Sequence, residues 1–166
     1  MPTGPAARIL DNVVHPVPPV LTGGPGSPDV IIGYLPAWRG VGGAAAAALQ
    51  AARSATDIAV TIAENATKAA AGTPGAPAAL AAEATAKANA VASLGGAISA
   101  SGADIHQCAT PSPPTPVLHG PGAVIDGSPT VIINNLPACR MGDTVLEPLG
   151  PPNKIVKGEP TVIIGD

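Results

Sequence analysis

The sequence predicts a mainly β fold of three related units with pseudo-threefold symmetry, interrupted by one inserted α-helical hairpin. Three observations carry this expectation. The phrase "PAARILDNVVHP" at 5–16 returns as "PACRMGDTVLEP" at 137–148, and residues 5–33 align on 137–165 without a gap. A third copy is split: it opens as "PAWRG" at 36–40, resumes as "GADIHQC" at 102–108 and closes as "GSPTVIIN" at 127–134. Between its halves lies an alanine-rich stretch, 41–101, unlike the Pro/Gly-spaced sequence around it.

The first unit sets the pattern. Pro5/Pro137, Arg8/Arg140, Asp11/Asp143 and Val13/Val145 are identical at matching offsets, and "VIIG" closes both complete copies. Each copy reads as a Pro-led turn, a short strand around Asp-x-Val, a Gly/Pro loop and a strand ending in Val-Ile-Ile. Such a unit is too small to bury its own apolar face. Three of them round one axis bury an aliphatic centre together. The 21 Pro and 20 Gly would suggest low complexity in another chain, but here they keep register with the Val-Ile-Ile triplets and mark turns.

The insertion follows the opening of the second unit. Residues 42–72 and 77–99 are helical by propensity, and "GTPGAP" at 72–77 is a turn. Arg53, Asp57, Thr61, Glu64 and Lys68 form a polar stripe, and Glu83 with Lys87 repeats the i,i+4 device. Leu49, Ile58, Ile62, Leu80, Val91, Leu94 and Ile98 are the expected inner seam. The expectation is an antiparallel hairpin with arms of roughly 35–40 Å. Charges recur too often along it for a stable bilayer span. The predicted organisation is therefore a discontinuous β domain, 1–40 and 102–166, with 41–101 inserted.

Composition narrows the function. The 166 residues fit one domain. One Trp, one Tyr and no Phe leave the core to Val, Ile, Leu and Ala. A net charge of −3, with 11% of residues charged and no basic patch, excludes a nucleic-acid surface. The N-terminal stretch lacks the pattern of a secretory signal. Cys108 and Cys139 are too few for a disulfide framework, which fits a reducing compartment and free thiols.

The repeat also gathers candidate ligands. Counting Pro5 as zero, position ten is His15 in the first copy, Cys108 in the split copy and Glu147 in the third. Threefold geometry brings these together near the axis. His106 lies two residues before Cys108 and faces the same side of a strand, and His119 follows in the split copy's loop. His15, His106, Cys108 and His119 form a three-His, one-Cys set suited to tetrahedral zinc, with Glu147 a rival for one histidine position. Four protein ligands leave no open position, so such a zinc is structural. Cys139 aligns with Ala7 and Trp38 and is read as a small buried residue.

"PAAR" at 5–8, "PAWR" at 36–39 and "PACR" at 137–140, each leading to a "GSPTVII"-type strand, resemble the PAAR-repeat proteins. The resemblance covers about 1–40 and 102–166. "ADIHQC", "VLHGPG" and "LDNVVHP" resemble the family's ligand phrases, so it implies one structural zinc held by His15, His106, Cys108 and His119. It also implies a small cone of short strands whose base caps a trimeric VgrG-like spike, one copy per trimer. Such tips belong to type VI secretion and related contractile injection systems. They meet a membrane transiently during puncture and can carry effectors. The implied life history is synthesis in the bacterial cytoplasm, assembly on a spike and export by injection. Only the first motif is literally Pro-Ala-Ala-Arg, and the long insertion is not inherited from the family pattern.

Three functions compete on these residues. The leading one is a structural spike tip without catalysis. The alternative is a cargo adaptor whose hairpin docks an effector or chaperone. The remote one is a zinc hydrolase, which requires an open coordination position with Glu147 as general base.

Overall fold

The computed structural model describes residues 3–165. Its strands and helices run β1 (Gly4–Ala6), β2 (Ile31–Ile32), β3 (Leu35–Pro36), α1 (Gly43–Ala70), α2 (Ala76–Ala100), β4 (His106–Pro111) and β5 (Leu118–Val124). They continue as β6 (Ile132–Ile133), β7 (Leu136–Pro137), β8 (Thr144–Leu146), β9 (Asn153–Lys154) and β10 (Glu159–Ile164). The protein is mainly β with an inserted helical hairpin.

Each Val-Ile-Ile strand pairs with the opening of the next copy rather than with its own unit. Ile31 lies opposite Pro36, Ile132 opposite Pro137, and Ile163 opposite Pro5. The last of these pairings joins the two ends of the chain and closes the ring. Gly33–Tyr34 and Asn134–Asn135 link the first two ribbons, and all four have positive φ. That is the geometry of a type I′ hairpin turn, which Gly and Asn favour. The Val-Ile-Ile strands are present in all three units, but the expected Asp-x-Val strand of the first unit is reduced to isolated bridges at Asn12 and Val13. The two-residue turns fold the first two Val-Ile-Ile strands onto the segment that follows them, which opens the next unit.

Above these ribbons the three Ala-x-Arg segments meet in a ring. Ala7 N donates to Cys139 O at 2.8 Å, Trp38 N to Ala7 O at 2.9 Å, and Cys139 N to Trp38 O at 3.0 Å. One large side chain and two small ones fill the axis at this level, and all three are essentially buried. The adjoining layer is likewise threefold: Ala6, Ala37 and Ala138 pack with Ile32, Ile133 and Ile164. The three arginines are fixed alike. Arg8, Arg39 and Arg140 donate backbone N–H groups to Asp11, Asp104 and Asp143 at 2.8, 2.8 and 2.9 Å, and each Nε donates to the same carboxylate.

On the other side of the ring, β4, β5, β8 and β9 form an antiparallel sheet in that order. Bridges from Ile155 to Val13, from Asn12 to Val20 and from Gly23 to His106 carry the pairing through the first unit and back to β4. Val13, Leu21, Val124, Val145 and Ile155 fill the enclosed space with Ala7, Trp38 and Cys139. Aliphatic side chains and one Trp thus make a core without Phe.

α1 and α2 are about 42 and 38 Å long at 1.5 Å per residue. Thr73 Oγ1 accepts from Gly75 N in the connection, and a proline near the N-terminus starts α2. The hairpin lies along the barrel wall. Leu49, Leu94 and Ile98 pack with Ala123 and Leu146, while Val60 and Ala90 pack with Leu149. Gly120 permits the close approach: a Cβ there would stand 2.8 Å from Val91 Cγ1.

Two expectations for the hairpin are corrected. Ile58, Ile62 and Leu80 face solvent, with Ile58 and Ile62 each 65% exposed. Glu83 and Lys87 are buried instead of solvated, at 1% and 0% exposure. The cause is common to both. Alanine makes either side of each helix packable, so the barrel selects the face that also lets Lys87 reach polar partners.

Candidate metal centre

Strand periodicity places the ligands. On β4, His106 and Cys108 are buried while Gln107 and Ala109 are exposed, so both candidate ligands point inward. Cys108 pairs with Gly120 on β5, next to His119, and His119 is buried. Glu147 directly follows β8 and is 1% exposed. His15 follows the bridged Val13 of the first unit.

His15, Cys108, His119 and Glu147 each offer one donor atom, and these atoms all lie within 4.8 Å of one another. His15 Nε2 is 3.3 Å from His119 Nδ1 and 3.1 Å from Cys108 Sγ. The edge between two nitrogens of a tetrahedral zinc site is about 3.3 Å for Zn–N bonds of about 2.05 Å. The Glu147 carboxylate touches all three imidazoles, at 3.3 Å from His15 Nε2, 3.1 Å from His119 Nδ1 and 3.7 Å from His106 Nε2. The expected ligand His106 is not in this group of four, where Glu147 stands instead; His106 occupies the level that the other units fill with Val13 and Val145. Thr110 Oγ1 lies 2.9 Å from His15 Nδ1, which orients that ring.

The electrostatics fit a cation. Both ring nitrogens of His106 and Oε1 of Glu147 are buried without a hydrogen-bond partner, which is costly in a dry interior. Burial, with the nearby His15 as a second cause, holds His106 down to about 4. Burial also lowers His15 and His119. Burial pushes the Cys108 thiol up to about 11 and the Glu147 carboxyl up to about 7. Burial thus favours the uncharged form of every group in the cluster. A divalent cation would turn the thiol into a thiolate and hold the carboxylate ionised, leaving the buried site without net charge.

Cys139 takes no part. It is fully buried in the Ala-x-Arg ring, and burial first of all drives its thiol well above the ordinary range. Both cysteines are free. The residue that sequence reasoning missed is Arg53. It looked like one member of a solvated stripe, but it donates from Nη1 to the Glu147 carbonyl and from Nη2 to the Gly150 carbonyl, the latter at 2.8 Å. No spacing in the sequence signals that reach.

A repeated Ala-x-Arg ring, a closed set of short strands and an inward His/Cys/Glu cluster make a small β unit built on a threefold plan. Residues 109–166 match the family model described as the PAAR motif. The chain carries that motif and is consistent with a PAAR-repeat protein. No curated protein and no solved structure matches the chain. The motif associates the chain, at the level of the family, with spike-tip proteins of type VI secretion. No helix among the described residues is long and apolar enough to cross a membrane.

Proposed function

We propose that the chain is a structural spike tip that caps a trimeric VgrG-like spike, one copy per trimer, and carries no catalysis. In this reading residues 1–40 and 102–166 are the tip unit and 41–101 its insertion. One observation carries it. Ile31, Ile132 and Ile163 occupy the same position of the three units, outside the Ala/Ile layer, and are 56%, 52% and 60% exposed. Three exposed isoleucines related by a pseudo-threefold axis suit the blunt end of a partner with a true threefold axis. Tyr34, 98% exposed, lies at the turn of one of these ribbons and widens the apolar face.

The experiment is titration of the chain with its trimeric spike, read by light scattering. One chain per trimer is expected. Replacing Ile132 and Ile163 by Glu should weaken binding by more than about tenfold. Binding that ignores both substitutions, or three chains per trimer, contradicts the reading.

The metal belongs to the same proposal. His15, His106, Cys108 and His119 would hold one zinc ion, with Glu147 balancing its charge, and the ion would tie together the three units where the barrel offers little else to pack. The side chains of His15, His106, His119 and Glu147 are at most 10% exposed and Cys108 is buried, which favours a closed structural site over the hydrolase alternative.

A second reading, cargo adaptor, is favoured by the hairpin's outer surface. The charged residues of α2 are Glu83 and Lys87, both buried, so its solvent face carries no charge. Beside it Ile58 and Ile62 are exposed on α1. Changing both to Glu should spare spike capping and abolish delivery of a bound effector or chaperone. Unchanged delivery contradicts this reading alone.

A further inference from the structure

Two basic residues of the hairpin reach the loops that carry the candidate ligands. Arg53 of α1 grips the segment after β8. Its Nη groups donate to the carbonyls of Glu147 and Gly150, and its Nε lies 2.8 Å from the Asp57 carboxylate one turn on. Gly150, at φ +77, packs so closely on His119 that a Cβ there would collide with the ring. One guanidinium therefore fixes both the backbone of Glu147 and the wall against His119.

Lys87 of α2 does the same on the other side. Its ammonium is fully buried, paired with Glu83 at 2.6 Å and Glu64 at 3.0 Å. It donates to the carbonyls of Ser112 and Pro113 at 3.3 and 3.2 Å. Those residues begin the loop that joins Cys108 on β4 to His119 on β5. A buried lysine with two carboxylates is an expensive way to pack a helix, and here it orders the connection between two ligands.

We infer that the inserted hairpin is a brace for the metal centre, and that Arg53 and Lys87 are positioning residues for its ligands. The inference rests on the metal reading given above. Its content is separate: metal affinity is set partly from outside the tip unit, by two cations in the insertion. Hairpin and metal are then coupled, so that loss of either loosens the other.

The test uses the full chain, zinc alone as ligand, and a chromophoric chelator as competitor. Arg53→Ala is expected to lower zinc affinity by about tenfold to a hundredfold, with Arg53→Lys recovering part of the loss. Cobalt-substituted Arg53→Ala should show shifted ligand-field bands, a readout that loss of helix packing alone would not move. Thr61→Ala, exposed on the same helix, should bind as the parent does. Lys87→Met probes the second loop. Because that change strands two carboxylates, hydrogen exchange at residues 112–117 is followed beside affinity. A parent chain that takes up no zinc overturns the metal reading and this inference with it. A parent that binds zinc, with Arg53→Ala equal to it in affinity and cobalt spectrum, overturns the inference alone.

Discussion

Arg39 and Asp104 stand 65 residues apart and make the contact that Arg8 and Asp11 make across three. The Arg39 backbone N–H donates to Asp104 Oδ2 at 2.8 Å, and the guanidinium donates to both oxygens. The whole helical hairpin is inserted inside this one pair, so the second unit folds only if its two halves find each other. Asp104 is 1% exposed, and removing its charge takes from the Arg39 guanidinium its directly bonded carboxylate, leaving it the Gly26 carbonyl and Asn134. Asp104→Asn should destabilise the chain by about 3 kcal/mol, read by denaturation followed through the fluorescence of Trp38. A change within experimental error would mean that the pair is incidental.

Trp38 itself fills the ring level that Ala7 and Cys139 share. Trp38→Ala should cost about 3–5 kcal/mol, since two small neighbours leave nothing to close the cavity. Cys139→Ala should cost less and leave metal content unchanged. Loss of metal in Cys139→Ala would place the wrong cysteine at the centre.

The ligand set divides by substitution. Cys108→Ala and His119→Ala should each remove most of the bound zinc and the stability that goes with it. That stability is about 4 kcal/mol at a free zinc concentration a thousandfold above Kd. His106→Gln should do the same, whereas Glu147→Gln should weaken binding and retain the ion. Retention of zinc in His106→Gln with loss in Glu147→Gln would exchange the roles of those two residues.

Metal uptake should release protons, and the sign follows from the buried groups. Without metal the Cys108 thiol, near 11, and the Glu147 carboxyl, near 7, hold protons that the ion displaces. Below pH 7 both protons leave, so about two are released per ion; above it about one is released, from the thiol. Zinc affinity therefore rises with pH, more steeply on the acid side. Calorimetry in buffers of different ionisation enthalpy counts the protons. An affinity independent of pH between 6 and 8 contradicts a thiolate ligand.

Much of this arrangement was legible in the sequence because it rests on short-range rules. The repeat aligned Arg39 with Arg8 and Arg140, and counting from Asp104 set Cys108 level with His15 and Glu147. Strand alternation put His106 and Cys108 on one side. Pairing across units was not legible, because a strand of two residues carries no signal of its partner. The hairpin's docking face was not legible either. Helical periodicity set a polar stripe apart from an apolar seam on each helix, but in an alanine background it could not say which face the barrel would cover. Arg53 was hidden for the same reason: an i,i+4 partner in Asp57 made it look solvated.

The most direct measurement of the central claim is X-ray absorption at the zinc edge on the purified full chain. Side chains from three separated segments are held to converge on one cation. The result predicted is one zinc per chain with one sulfur and three nitrogen donors. A chain without stoichiometric metal, or a coordination shell lacking sulfur, would contradict it.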